Sequence, residues 1–184
     1  DDRIRKFLCD DKITSSQWGY VMEVAHSLGI KSTATIMFGH IDDLESWVNH
    51  FELLKKIQLK TSGFTEVVPL PFVHMGSPIF LQGNSMPGPT WDEIVLMHSL
   101  ARIYFYNTID NIQASWVKLG HDGAKVLLNS GVNDLGGTLI NENISRASGA
   151  NHGQETTATE FINLIKDAGK ITYLRNTLYT SFKN

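Results

Sequence analysis

Cysteine is almost absent from this chain: Cys9 stands alone among 184 residues. That excludes an intrachain disulfide and fits a reducing compartment. Long apolar runs are missing as well. No stretch approaches the roughly 18 consecutive apolar residues of a membrane span, and no charged, apolar and small-residue succession reads as a secretory signal. A cytoplasmic protein, or one of an organelle stroma, is expected. Neither sign of charge prevails, with 16 Lys and Arg against 19 Asp and Glu. Without a basic run or an aromatic-spaced basic stripe, the footprint of a nucleic-acid binder is lacking. Seven histidines are present, yet neither HxH nor HExxH spacing occurs, so metal hydrolysis is not the chemistry they point to. His26, His50 and His98 fall in helical patterns and His121 opens one; only His40 and His74 follow strand-like segments. Internal repeats and low-complexity tracts are lacking too, and the length suits one domain or less. An initial methionine is also lacking. The chain opens Asp1-Asp2-Arg3-Ile4 in what reads as the middle of a helix, and truncation is the simplest expectation.

What is present is an alternation of helical and strand-like patterns. The spacing of Leu44, Trp47, Val48, Phe51 and Leu54 predicts a helix from about Asp43 to Lys60, with Asp42 and Glu45 in capping-box relation at its start. Thr90 and Glu93 open a second, whose stripe is Ile94, Met97, Ala101, Tyr104 and Phe105. An earlier helix begins near Thr14 and Gln17, carries Trp18, Val21, Met22, Ala25 and Leu28, and stops at Gly29, the residue suited to a left-handed cap. Two more are predicted over His121 to Asn129 and Thr157 to Ala168. Between them, Ser32 to Phe38, Phe64 to Leu70, Ile112 to Val117 and Val132 to Leu135 read as strands, several continuously apolar or small, as parallel strands covered on both faces are. Strict alternation implies an α/β fold with a parallel sheet, either open and doubly wound or part of a barrel. The only loop rich in Gly, Pro and Ser runs from Gly76 to Pro89.

The strand ends favour the barrel. Each predicted strand runs into polar or backbone-unusual residues: Gly39-His40, Pro69 to Phe72, Ser115-Trp116, then Asn133-Asp134 with Gly136-Gly137. Barrels collect their chemistry at such exits. Eight strands and about 250 residues make a complete barrel, so four strands alone would leave two exposed edges, and partner strands are expected before residue 1.

Five segments then resemble a known family: TATIMFGHID (Thr33 to Asp42), GFTEVVPLPFVH (Gly63 to His74), NIQASWVKLG (Asn111 to Gly120), NDLGGTLINENISRASGA (Asn133 to Ala150) and RNTLY (Arg175 to Tyr179). They look like the C-terminal half of the radical S-adenosylmethionine TIM-barrel enzymes, and within them the tyrosine-using component of deazaflavin (FO) synthase. The menaquinone-pathway siblings, aminofutalosine synthase and dehypoxanthine futalosine cyclase, share some segments; PLPFVH, Pro87-Gly88-Pro89, SWVKLG and NDLGGTL are closer to the FO synthase component. The resemblance implies strands five to eight of the barrel, with residues 1–184 a partial domain lacking its cluster-binding N-terminal half and residues 139–184 its C-terminal extension. It implies S-adenosylmethionine and a 4Fe-4S cluster as cofactors and L-tyrosine and 5-amino-6-(D-ribitylamino)uracil as substrates. The implied reaction breaks the tyrosine Cα–Cβ bond and joins the 4-hydroxybenzyl group to the uracil, before a partner component closes the deazaflavin ring. One departure bears on activity. The cluster needs three thiolates in a CxxxCxxC loop, and Cys9, in LCDDK, lies outside any such loop, so these residues alone are expected to be inactive. A noncatalytic half-barrel that assembles with a partner chain is the alternative from a different class.

Carried onto this sequence, the resemblance makes Gly39, Pro69, Pro71 and Phe72 the S-adenosylmethionine contacts. A glycine permits close backbone approach, although turns use glycine too and prolines simply end strands. His40 is a candidate for a substrate carboxylate or a proton relay, or a histidine bonded to its own loop. Glu66, within the second strand, needs a partner whatever its role; a substrate ammonium or ribityl hydroxyl and a structural ion pair are both open. Ser115 offers a hydroxyl and Trp116 an aromatic wall, or plain core. Asn133 and Asp134, backed by a glycine pair, favour ligand approach. Glu142 and Arg146 complete the substrate-binding candidates, with Arg146 able to clamp a carboxylate or to pair with Glu142.

Overall fold

Most of the helices begin where a side chain satisfies the first free amides. Thr14 with Gln17, Thr90 with Glu93 and Thr157 with Glu160 form reciprocal capping boxes, each cap contributing about 1 kcal/mol. The computed structural model describes residues 1–139, 147, 149 and 155–183. Its elements are α1 (Asp2–Leu8), α2 (Ser15–Ser27), β1 (Ser32–Phe38), α3 (Leu44–Thr61), β2 (Phe64–Pro71), α4 (Pro78–Leu81), α5 (Trp91–Tyr104), α6 (Trp116–Leu127), α7 (Ala158–Asp167), β3 (Leu174–Arg175) and β4 (Phe182–Lys183). The cap of α3 is Asp43 with Ser46, and not Asp42 with Glu45 as the spacing implied. Asp42 is turned to another use at the end of β1.

The fold is α/β with parallel strands. β1 and β2 pair in parallel from Ser32↔Phe64 to Phe38↔Pro71, and two single parallel bridges extend the order, Val67↔Ile112 and Gln113↔Asp134. Four segments therefore lie side by side in chain order. The third and fourth are shorter than predicted. Trp116 and Val117 belong to α6, which bends at Gly120, where φ is 69° and ψ 177°, and only Asp134 of the fourth segment is bridged. These two segments are held by four backbone bonds: Val67 N–H to Asn111 carbonyl (2.9 Å), Gln113 to Val67 (2.9 Å), Asn133 to Ile112 (3.1 Å) and Ala114 to Asp134 (2.9 Å).

Helices cover one face of this sheet. Ala34, Ile36 and Phe38 of β1, Val67 of β2 and Ile112 join one core with Trp47, Phe51, Leu54 and Ile57 of α3, Met97 and Ala101 of α5, and Ala124 and Leu127 of α6. The opposite face of β1 is open: Thr33, Thr35 and Met37 alternate with the buried positions and are exposed. The expectation that parallel strands are covered on both faces therefore fails for β1, and among the described residues its outer edge has no neighbour. The C-terminal tail supplies an unpredicted antiparallel hairpin, β3 with β4.

Candidate functional site

Two groups of predicted residues separate in space. At the C-terminal ends of β1 and β2, Phe72 N–H donates to the Phe38 carbonyl (2.9 Å), which sets Gly39-His40 beside Pro71-Phe72. Gly39 has φ 85°, and its N–H, with that of His40, donates to the Asp42 carboxylate at 2.8 Å each. The Trp47 indole N–H donates to the same carboxylate. A methyl group at Gly39 would lie 2.3 Å from Pro89 Cδ, so its missing side chain makes room for the loop before α5. That loop closes further: Met86 N–H donates to the His40 carbonyl (2.7 Å), and a methyl at Gly88 would lie 2.8 Å from the Phe72 carbonyl oxygen.

His40 is buried, and both ring nitrogens are engaged. Nε2 donates to the Met37 carbonyl (3.1 Å) and Nδ1 accepts from Ile41 N–H (2.7 Å), the arrangement of a neutral ring. Burial holds its pKa below the ordinary value, outweighing the Asp42 carboxylate that stands 3.0 Å from Nδ1. The ring meets Phe72 edge-on at 6.0 Å. Pro69 and Pro71 are both buried.

The second group lies further back along the strands, on the face away from the helices. Glu66 pairs in register with Thr33, five residues before the β2 exit, which is about 16 Å at ~3.3 Å per residue. Thr33 Oγ1 donates to Glu66 Oε1 at 3.0 Å. Arg175 grips Asp134 with two bonds, Nε at 2.6 Å and Nη2 at 2.9 Å, and reaches Glu66 Oε2 at 3.5 Å. Gly136 N–H donates to Asp134 Oδ1 at 2.6 Å. The Tyr179 hydroxyl lies between the two acids, donating to Glu66 Oε2 and within 3.0 Å of Asp134 Oδ2, while the guanidinium sits 4.2 Å from its ring centroid. Burial, and then the bond to Glu66, hold the Tyr179 hydroxyl well above its ordinary pKa; the bond to Asp134 raises that of Arg175. Every carboxylate oxygen in this cluster has a partner within the chain. Tyr179 also holds a left-handed backbone, φ 58°, a strain of about 1–2 kcal/mol that persists only where surrounding contacts over-determine it.

The other candidates are dispersed. Asn133 faces away from Asp134: its Oδ1 accepts from Ile112 N–H (2.9 Å) and Arg102 Nη2 (2.6 Å). Trp116 is buried core, edge-on to Phe161 at 5.7 Å, with its indole N–H on the Gly137 carbonyl at 3.2 Å. Ser115 precedes α6 as its N-cap without a capping side-chain bond. Glu142 and Arg146 lie outside the described residues. Sequence reasoning missed Arg175 and Tyr179, quoted only as part of RNTLY, and Arg102. The one available signal was that two interior carboxylates demand a cation.

Residues 61–184 match the family described as the CofH/MqnC C-terminal region. The chain belongs to the CofH/MqnC family. It is 47% identical over all 184 residues to the 5-amino-6-(D-ribitylamino)uracil–L-tyrosine 4-hydroxyphenyl transferase of Methanothermobacter thermautotrophicus, covering 50% of that protein. Over 179 residues it is 48% identical to the protein of the same name from Methanocaldococcus jannaschii, again covering 50%. To the FO synthase of Nocardia farcinica it is 46% identical over 179 residues, which are 97% of this chain and 21% of that one. The chain spans about half the length of the transferases it matches. As a CofH/MqnC chain it fits an iron–sulfur cluster poorly: it has one cysteine, and the described residues contain no group of three His, Cys, Asp or Glu able to hold a metal.

Proposed function

We propose that this chain is the C-terminal half, strands five to eight, of a radical S-adenosylmethionine transferase that cleaves L-tyrosine and joins its 4-hydroxybenzyl group to 5-amino-6-(D-ribitylamino)uracil in deazaflavin biosynthesis. The observation that carries this reading is the 47% identity along the entire chain to a transferase so named. Four parallel segments in chain order, with helices on one face and an open face on the other, support the barrel assignment. A barrel puts its chemistry at the strand exits, and the exits Gly39-His40 and Pro71-Phe72 stand together.

The adenosyl cofactor, when bound, supplies the radical chemistry, and the protein contributes position and exclusion of water. On this reading Gly39, Pro71 and Phe72, with Pro69 behind them, form this chain's share of the cofactor wall. Asp42 holds the Gly39-His40 turn rigid through two backbone amides and Trp47, and the 85–90 loop covers it. His40, neutral and bonded on both nitrogens, shapes that wall and is not a free base in this conformation. Cluster ligands would come from polypeptide outside these 184 residues, so no step through the cluster is assigned to residues here. The ring-closing component is the expected partner of the product.

The test is anaerobic reconstitution of the full-length native protein with iron and sulfide, followed by incubation with S-adenosylmethionine, reductant, tyrosine and the ribitylaminouracil. Mass spectrometry should find the coupled 4-hydroxybenzyl product and tyrosine-dependent 5′-deoxyadenosine. Turnover of a purine-linked menaquinone precursor instead would assign the chain to a sibling activity, and cluster-loaded protein inert to every substrate would leave it a scaffold; either result refutes the transferase.

A further inference from the structure

The Glu66–Asp134 pair, read from sequence as a substrate contact, has every carboxylate oxygen engaged by a donor within the chain. Glu66 Oε1 takes Thr33, Glu66 Oε2 takes Tyr179 and Arg175, and Asp134 takes Arg175 twice and Gly136 N–H, with the Tyr179 hydroxyl oxygen 3.0 Å from its Oδ2. Arg175 and Tyr179 come from one short hairpin more than a hundred residues downstream of β2. That hairpin is itself braced: Asn176 N–H donates to the Ser181 carbonyl (3.2 Å), Thr180 N–H to Asn176 Oδ1 (2.9 Å) and Asn176 Nδ2 to Thr180 Oγ1 (2.9 Å). Its backbone is strained at Tyr179 in the conformation that delivers the phenol between the two acids. The whole assembly sits on the sheet face turned away from the helices, set back along the strands from the Gly39 and Phe72 exits.

We propose that the C-terminal hairpin is a plug that seals one end of the sheet's open face, pinned by Arg175 and Tyr179 into the Glu66–Asp134 pair, so that water is kept from the far side of the catalytic chamber. Arg175 and Tyr179 are positioning residues on this account, touching neither substrate nor cofactor. The pair of acids selects the plug because two partly buried carboxylates side by side repel unless a cation and a donor share them, and a planar guanidinium with a phenol meets that geometry where a lysine would not. The catalytic part of the proposal rests on the transferase reading; the sealing does not.

The experiment uses the full-length native protein as wild type, Arg175→Lys, Tyr179→Phe, and a form ending at residue 173. Hydrogen exchange followed by mass spectrometry should show amides of residues 33–35, 66–68 and 112–114 exchanging at least tenfold faster in the shortened form. The two point variants should lie between. In the reaction, the variants should release several-fold more 5′-deoxyadenosine per coupled product, with the KM for tyrosine changed less than twofold. Unchanged exchange at those amides on removing the hairpin overturns the plug. Faster exchange with unaltered coupling refutes the water-exclusion role. If wild type shows no tyrosine-dependent chemistry at all, the transferase reading fails, while the exchange result still decides the seal. Thermal melts of each variant separate loss of the plug from loss of the fold: a variant that melts at the wild-type temperature and exchanges tenfold faster supports the plug, and one that exchanges faster only in proportion to a lowered melting point counts against it.

Discussion

Gly63 has an ordinary backbone, yet a methyl there would fall 1.9 Å from the His26 ring. The ring cannot retreat, because Nδ1 is bonded to Thr61 Oγ1 and Nε2 to Ser32 Oγ, each at 2.8 Å. Thr61 already gives its hydroxyl proton to the Ile57 carbonyl, so Nδ1 is the donor of that pair. Gly63→Ala should therefore cost roughly 2 kcal/mol by overpacking. In urea denaturation, His26→Ala combined with Gly63→Ala should be less destabilised than the sum of the singles by about 1 kcal/mol; additive losses would show the clash is relieved elsewhere. His98 shows the opposite economy. It is fully buried in α5, its Nδ1 donates to the Ile94 carbonyl at 2.7 Å, and Nε2 has no partner among the described residues. Burial lowers its pKa to about 4 from 6.5. Between those values the unfolded chain binds the proton more readily, so this stability is full above about pH 6.5 and fades as pH falls toward 4. His98→Leu should abolish about 2 kcal/mol of the acid loss measured between pH 7 and 4.5, by that linkage. The glycine was legible as part of the GFT segment, but its reason was not, since His26 arrives from 37 residues upstream.

Among elements, the third and fourth parallel segments are the least regular, and one side chain compensates. Arg102, from α5, donates to the Gly131 carbonyl (2.6 Å), the Asp110 carbonyl (2.7 Å) and Asn133 Oδ1 (2.6 Å), stitching a helix to both segments where ladder bonds are few. Asn133 in turn caps Ile112 N–H. Asn133→Ala should lower stability by about 2 kcal/mol through that orphaned amide, with no change in cofactor or substrate affinity; weakened substrate binding at unchanged stability would restore the ligand role read from its sequence context. The helices were readable because threonine caps and 3.6-residue stripes are local. The strand predicted over 112–117 failed because Trp116 and Val117 are apolar on any reading, and only α6 docking on Phe161 and Gly137 decides that they are helical.

At the scale of the molecule, the decisive feature is a sheet that, among the described residues, has helices on one face only. Met37 projects from the other face and is 45% exposed. Met37→Asp should shift the stability of these 184 residues by less than about 0.5 kcal/mol, as surface changes do. In a full-length protein whose barrel closes over that face, the same change should cost several kcal/mol by burying an unpaired carboxylate. Equal small effects in both would show the face stays open. Sequence by itself determined most of the helices, the alternation with parallel strands and the family, because caps, periodicity and contiguous motifs are written within ten or twenty residues. Only tertiary structure decided that Glu66 and Asp134 belong to the tail while Gly39 and Phe72 belong together at the exits. Strand register and the return of residues 175–179, 41 positions from Asp134 and 109 from Glu66 at Arg175, set those neighbours, and no local pattern encodes a contact at those separations.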